Sequence, residues 1–329
     1  MASARTRPYD GLTPDTVLDA LAAAGWRGDG RLLALNSFEN RVYQVSLEDG
    51  GHVVAKFYRP GRWSDAQILE EHAFARELAE REIPVVAPLE VSGRTLFEHA
   101  GFRFAVFPRR GGRAPELEDD AVLEWIGRFL GRIHAVGAAR AFVHRPTLDA
   151  DTFGAEPREW LLASGLIPPD LLPAWTAASA QALERARQAI AAVGTVPRIR
   201  LHGDCHAGNI LWTDAGPHFV DLDDARSGPA VQDLWMLLPA ERPSAERALR
   251  ALLAGYRRFH DFDARELMLI EPLRTLRLIH YSAWIARRWD DPAFPAAFPW
   301  FGTPRYWQDR ILELREQTAA MDEAPLAAP

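Results

Sequence analysis

The sequence predicts an α+β chain with a small antiparallel-sheet N-terminal lobe and a larger, mainly helical C-terminal lobe. Three observations carry that expectation. First, β patterning gathers in residues 1–107: RVYQVSL, with Tyr43, Val45 and Leu47 on one face, is followed by the turn Glu48–Gly51 and by HVVAKFY, which together read as a β-hairpin. Second, PRRGG, Pro108–Gly112, interrupts the pattern and reads as a hinge. Third, helical periodicity dominates 113–329, with one β-patterned interruption at RIRL, NILW and HFVDLDD.

Along the chain, Thr13–Ala24 reads as a short helix, with Thr13 as its cap, Pro14 in its first turn and Gly25 after its end. Trp63–Arg81 carries a long helical pattern that includes Ile68, Phe74 and Leu78. Pro84 and Pro88 mark an extended stretch, and FRFAVF, Phe102–Phe107, reads as another strand. Helices are expected over Asp119–His134, Leu171–Ala192, Ala245–Phe259, Ala264–Arg288 and Pro304–Ala319. The Pro- and Phe-rich stretch Asp291–Gly302 reads as an ordered surface loop, and the tail DEAPLAAP as loose.

Composition sets bounds on function. The chain has 329 residues, 48% hydrophobic and 25% charged, a globular profile with room for a sizeable core. The net charge of −7 lacks the basic excess of a nucleic-acid footprint, so no nucleic-acid partner is expected. The single cysteine cannot form an internal disulfide, MASARTRPYDG has no apolar core of signal-peptide length, and no apolar run approaches a membrane span. A cytoplasmic protein away from the membrane, acting as a monomer, is the expectation.

The stretch LHGDCHAGNILW, Leu201–Trp212, concentrates reactive side chains and admits three chemistries. A transition-metal site would use His202, His206 and Cys205, but Gly203 and Gly208 disfavour the helix that would align the histidines, and no further zinc spacing follows. A Cys205 nucleophile needs a base, and the adjacent His206 would seldom face it in a loop; a small buried residue is the simpler reading of Cys205. Phosphoryl transfer uses more of the residues. If NILW and HFVDLDD form a hairpin centred near Ala215, position 209 lies opposite 221, and the Asn209 amide meets the Asp221 carboxylate. One neutral and one anionic oxygen suit Mg²⁺, which keeps room for phosphate oxygens and water. Asp204, on the irregular loop just before, can accept a hydroxyl proton.

HGDCHAGNILW followed by FVDLDDA resembles the catalytic and metal-binding segments of the aminoglycoside phosphotransferase and choline kinase superfamily, a branch of the protein-kinase-like fold. LNSFENRVYQV, VVAKFYRPGRW, ILEEHAFARELAE and VDLDDARSGPAVQDLWML together resemble the bacterial stress response kinase A family of serine/threonine protein kinases, over nearly the whole chain. The resemblance implies a two-lobed, protein-kinase-like enzyme with ATP as co-substrate, in which Asp204 and Asp221 are catalytic and Asn209 and Asp221 hold Mg²⁺. It implies that Lys56, mid-strand in HVVAKFY, grips the phosphates. The partner of Lys56 should come from the next helix, where Glu70 and Glu71 are both candidates; the spacing of Glu71 to Phe74 and Leu78 resembles the family helix and favours Glu71. Ser37 of LNSFEN carries over as an ATP contact on a turn without the glycines of protein kinases, and Phe107, Pro108 and Arg109 are placed at the adenine by position. His202 is expected to orient the loop, Asp233 to anchor it, and His134 to pack.

The residues alone leave protein Ser/Thr and a small alcohol equally open as acceptor. The resemblance favours protein Ser/Thr and a role in stress response. A choline-, homoserine- or aminoglycoside-kinase-like enzyme is the alternative, and Asp223, Asp224 and Asp233 could supply the acidic pocket it needs. A non-catalytic, ATP-binding pseudokinase is a third reading, against which every expected catalytic position is filled.

Overall fold

The computed structural model describes residues 7–327. In chain order the elements are α1 (Pro14–Ala23), β1 (Gly28–Ala34), β2 (Arg41–Leu47), β3 (His52–Phe57), α2 (Asp65–Glu80), β4 (Phe97–His99) and β5 (Phe102–Pro108). Then follow α3 (Asp120–Ala138), α4 (Glu156–Ser164), α5 (Leu172–Val193), β6 (Ile199–Leu201), β7 (Ile210–Thr213), β8 (Gly216–Phe219) and β9 (Arg226–Gly228). Last come α6 (Gln232–Trp235), α7 (Arg242–Tyr256), α8 (Ile270–Ala286), α9 (Ala293–Ala297) and α10 (Pro304–Ala320). The chain gathers into two compact units. One runs to Pro115 and takes in Val143–Arg145 and Gly208–Asp223; the other comprises Glu116–Phe142, Pro146–Ala207 and the chain from Asp224 on. The first unit therefore extends past the 108–112 interruption and recruits two segments distant in sequence, which no local pattern marks.

In the first unit β1-β2-β3-β5-β4 form an antiparallel sheet. The β2–β3 hairpin pairs Val45 with Val53 and Tyr43 with Ala55, and Val45, Val53, Ala55 and Phe57 join Val17 and Leu21 of α1 in the core. Alternation along β3 puts Lys56 on the other face, in register with Val42 and Ala105. The Trp63–Arg81 pattern begins its helix at Asp65, because Ser64 caps it: the Ser64 hydroxyl accepts from the Gln67 amide while the Gln67 side chain accepts from the Ser64 amide. Thr13 caps α1 in the same way, accepting from the Thr16 amide.

In the second unit α3 crosses α7 with backbones almost touching. A methyl group on Gly255 would lie 1.9 Å from the Glu124 carbonyl oxygen, and one on Gly127 would lie 2.0 Å from that of Leu252. Helix α5 packs its Trp175 edge-on against Trp307 of α10, with ring centroids 6.1 Å apart. Two expectations are corrected here. The Asp291–Gly302 stretch is not a surface loop: it holds α9, and Phe294, Phe298 and Phe301 are buried among Trp284, Tyr306 and Trp307. The tail is tied down as far as Ala327, since Arg185 pairs with Asp322 and Arg242 donates to the carbonyls of Ala324 and Pro325. The Ala264–Arg288 pattern also divides, into a 3₁₀ stretch Ala264–Leu269 and α8.

Candidate active site

The β7–β8 hairpin sets up the first unit's polar wall. Its ladder pairs Thr213 with Gly216 and Ile210 with Phe219, and the Val220 amide donates to the Asn209 carbonyl at 3.0 Å. Asn209 thus lies opposite Val220, one residue short of the Asp221 partner expected, because the turn is centred between Asp214 and Ala215 and not on Ala215. Strict alternation would then point Asp221 away from Asn209. The backbone corrects this: Asp221 has φ +59°, a left-handed conformation that Asp tolerates better than most residues, and it leaves the ladder there. Asn209 and Asp221 both line a cavity of about 370 Å³ together with Ser37, Lys56, Glu71 and Phe107. Arg109 does not line it. Its Nε donates to Gln44 Oε1 of β2 at 3.1 Å on the exposed side, and Arg110 lines the cavity in its place, because β5 ends at Pro108 and the side chains beyond it no longer alternate as strand residues do.

Lys56 is buried, and its ammonium bonds Asp221 Oδ1 at 2.7 Å with Asp223 Oδ1 at 3.4 Å. Burial works against the charged ammonium, but the carboxylates of Asp221, Asp223 and Glu71 outweigh it and hold its pKa above the ordinary lysine value. The two glutamates of α2 divide their tasks. Glu70 accepts from the amides of Val143, His144 and Arg145 at 2.5, 2.8 and 2.7 Å, which pins that returning segment to the unit. Glu71 is buried on the cavity wall and acts on Lys56 through space; burial pushes its pKa up to about 7, with Lys56 and Arg145 opposing.

Asp223, a candidate for an acidic acceptor pocket by sequence, is instead the hub of the unit's buried charges. Besides Lys56 it takes Asn40 Nδ2 at 3.0 Å and a guanidinium nitrogen of Arg62, while Arg145 donates to its carbonyl. Asn40 in turn accepts from the Arg59 amide at 3.1 Å. Asn40, Arg62 and Asp223 all lie in the strings that carry the family resemblance, but only the fold brings them together.

The second unit holds the Asp204 loop. Asp233 accepts from the His202 and Gly203 amides, both at 2.8 Å, and from His134 Nε2 at 3.0 Å. Gly203 has φ +87°, and a methyl group there would lie 2.1 Å from the Asp224 carbonyl oxygen, so glycine alone fits the turn that presents Asp204. Arg277 Nη1 lies 2.9 Å from Asp204 Oδ1, and His206 Nε2 lies 3.5 Å from Oδ2. Burial would raise the Asp204 pKa, yet the hydrogen bond from His206 and the charge of Arg277 outweigh it and keep the carboxyl below the usual aspartate value. Cys205 is buried and its thiol is pushed far up, first by burial and then by Asp233 and Asp204, which leaves it no nucleophilic role. Among the described residues no group of three or more His, Cys, Asp or Glu side chains could hold a metal ion. The Asn209 and Asp221 oxygens on one cavity wall fit a hard divalent cation that completes its shell with phosphate and water.

Comparison with known proteins places the chain in a family. The model of the phosphotransferase enzyme family matches residues 31–270. The chain is 48% identical over 323 residues to stress response kinase A of Escherichia coli (strain K12), covering 97% of this chain and 96% of that protein. It is 46% identical over 318 residues to the serine/threonine protein kinase RdoA of Salmonella typhimurium, with the same coverage, 97% and 96%. Among solved structures, amicoumacin kinase hAmiN in complex with AMP-PNP, Ca²⁺ and Ami superposes with a TM-score of 0.72 at 19% identity, over 95% of this chain and 94% of that one. A microcompartment-associated aminopropanol kinase gives 0.66 at 16%, over 93% and 96%. The fold is thus protein-kinase-like, and the chain belongs to the phosphotransferase enzyme family, in its stress response kinase A branch, as a kinase-type phosphotransferase.

Proposed function

We propose that the chain transfers the γ-phosphoryl group of ATP, with Mg²⁺, to Ser or Thr hydroxyls of a protein in a bacterial stress response, and that it works in the cytoplasm. The observation that carries this reading is the single cavity that gathers Ser37, Lys56, Glu71, Phe107, Asn209 and Asp221. Its apolar part, with Val42, Val54, Val86 and Leu211, suits the purine, and its charged end suits the triphosphate. The sheet-bearing unit is then the nucleotide lobe, and the helical unit supplies the acceptor's base.

In this reading Lys56 releases Asp221 to meet the phosphates, and Glu71 and Asp223 keep its charge in place. Asn209 and Asp221 would hold Mg²⁺, which neutralises phosphate charge when bound. Asp204 takes the acceptor hydroxyl's proton while the acceptor oxygen bonds the γ-phosphorus and the bond to the β–γ bridging oxygen breaks, leaving ADP. Because phosphoryl transfer runs through a loose transition state, a carboxylate of low basicity suffices; the work is positioning and charge stabilisation. Asp204 and Asn209 lie on one short stretch, HGDCHAGN, so the base and one metal ligand share a loop.

Against the alternative, a choline-, homoserine- or aminoglycoside-kinase-like enzyme, stands the engagement elsewhere of the three carboxylates considered for its acidic pocket. Asp223 is buried among Lys56, Asn40 and Arg62, Asp224 bonds Arg226 at 2.7 Å, and Asp233 is consumed by the Asp204 loop. The test is transfer of labelled phosphate from ATP to casein-like protein against a panel of alcohols. Protein labelling that needs Mg²⁺ and disappears in Asp204→Ala is expected. Labelling confined to alcohols would overturn the acceptor class, and protein labelling that persists in Asp204→Ala would overturn the base.

A further inference from the structure

The proposed base shares its surroundings with an arginine. Arg277 reaches Asp204 from α8 at 2.9 Å, with 32% of the Arg277 side chain and 24% of that of Asp204 exposed. The other Asp204 oxygen faces His206 Nε2, and the nearby Asp224 has its charge met by Arg226. A hydroxyl that gives its proton to Asp204 must come within hydrogen-bond reach of that carboxylate, and so within a few ångströms of the guanidinium. A guanidinium has five donors in a planar fork, and one nitrogen on Asp204 leaves others for a second anion. The position therefore favours an acceptor whose hydroxyl has an anionic neighbour and disfavours one that carries an ammonium there.

The rest of α8 points the same way. Arg274, Arg277, Tyr281, Trp284 and Arg288 follow one another at steps of three and four, a single helix face extended by one turn, and all are partly exposed. Arg274 lies over the Trp235 ring at 5.4 Å, Tyr281 stacks on Trp284 at 5.7 Å, and Arg288 lies over Trp284 at 5.4 Å. Glu271 already meets the Arg274 charge at 2.8 Å, so Arg277 is the cation of this face that stands at the proposed base, and a half-open strip of guanidinium groups and rings suits an extended peptide better than an enclosed small amine.

We propose that Arg277 recognises the acceptor: the Ser or Thr phosphorylated by this chain is flanked by Asp or Glu, whose carboxylate pairs with the Arg277 guanidinium as the hydroxyl reaches Asp204. This deepens the proposed function and rests on Asp204 as the base. If Arg277 merely held Asp204 in place, its loss would slow every acceptor equally; as a recognition residue, its loss changes the ranking of acceptors.

The experiment uses the full chain with Mg-ATP and matched Ser and Thr peptides whose neighbouring positions are Asp or Glu, Ala, or Lys, alongside matched hydroxy acids and amino alcohols. Selectivity, the ratio of kcat/KM values on one preparation, does not depend on how much of a variant is folded. The wild type is expected to favour acidic over lysine-flanked peptides by about tenfold or more. Arg277→Gln should bring that ratio close to one, Arg277→Lys should keep part of it, and Arg277→Glu should invert it. An unchanged ratio in Arg277→Gln, with all rates lowered together, overturns the inference. So does a wild-type preference for lysine-flanked peptides or amino alcohols that vanishes in Asp204→Ala, which leaves the base assignment standing. Transfer that survives in Asp204→Ala, or no transfer to any acceptor, removes the base reading and the inference with it.

Discussion

Asp204 and Glu71 show how burial and nearby charge set what a carboxylate can do. Asp204 stays ionised because His206 and Arg277 offset its partial burial. Asp204→Ala should cut phosphoryl transfer by about a thousandfold, within the range of a lost general base, while Mg-ATP still raises the thermal midpoint. Glu71 behaves oppositely. Its carboxyl is raised from 4.5 to about 7, chiefly by burial, so in the folded chain it holds its proton over a window in which the unfolded chain has lost it. Any stability that this group contributes is present below about pH 4.5 and is lost as pH rises through 7. Glu71→Gln removes that dependence. The variant should gain on the wild type between pH 5 and pH 8, by at most on the order of 3 kcal/mol, as read from denaturant midpoints, while its turnover falls. A wild type that gains on Glu71→Gln with rising pH would contradict the burial argument.

At the scale of elements, the β7–β8 hairpin and the Asp204 loop share a design: a short β segment followed by a residue in left-handed conformation, Asp221 in one case and Gly203 in the other. The hairpin was legible from strand alternation and its turn residues. Its register was not, because a shift of one residue depends on turn geometry that composition does not report. Gly203→Ala should lower kcat strongly with a modest change in ATP affinity, since the methyl group collides with the Asp224 carbonyl in the unit that carries Asp204. Asp233→Asn keeps the shape of the anchor but turns an amide NH₂, itself a donor, toward a backbone N–H. It should cost about 3 kcal/mol of stability, measured by denaturation, because buried donors lose their charged acceptor. Gly255→Ala tests the α3–α7 crossing. A loss of about 1–3 kcal/mol is expected, as overpacking forces the backbones apart, and an unchanged midpoint would show that the helices yield freely.

For the molecule as a whole, the division into units is the least local property. Glu70 draws Val143–Arg145 into the sheet-bearing unit, and the β7–β8 hairpin joins it from beyond residue 200. The C-terminal segment is similarly non-local: Arg185 and Arg242 hold residues that read as a loose tail. Deleting the chain after Ala320 should lower the unfolding midpoint measurably. No change would mean that those contacts are only exposed ion pairs of little worth. Among the described residues no helix is long and apolar enough to cross a membrane.

The sequence by itself determined what depends on neighbours along the chain: the cap at Thr13, the β2–β3 hairpin, the long helices and the reactive stretch from His202 to Asn209. Periodicity and capping are local, so residues report them directly. Tertiary structure alone decided that Glu70 holds the amides of Val143–Arg145, that Arg110 replaces Arg109, that Asp223 gathers three buried donors, and that Arg277 lies on Asp204. Those pairings join side chains far apart in sequence, and their energy comes from desolvation and charge, which exist only once the chain has closed around them.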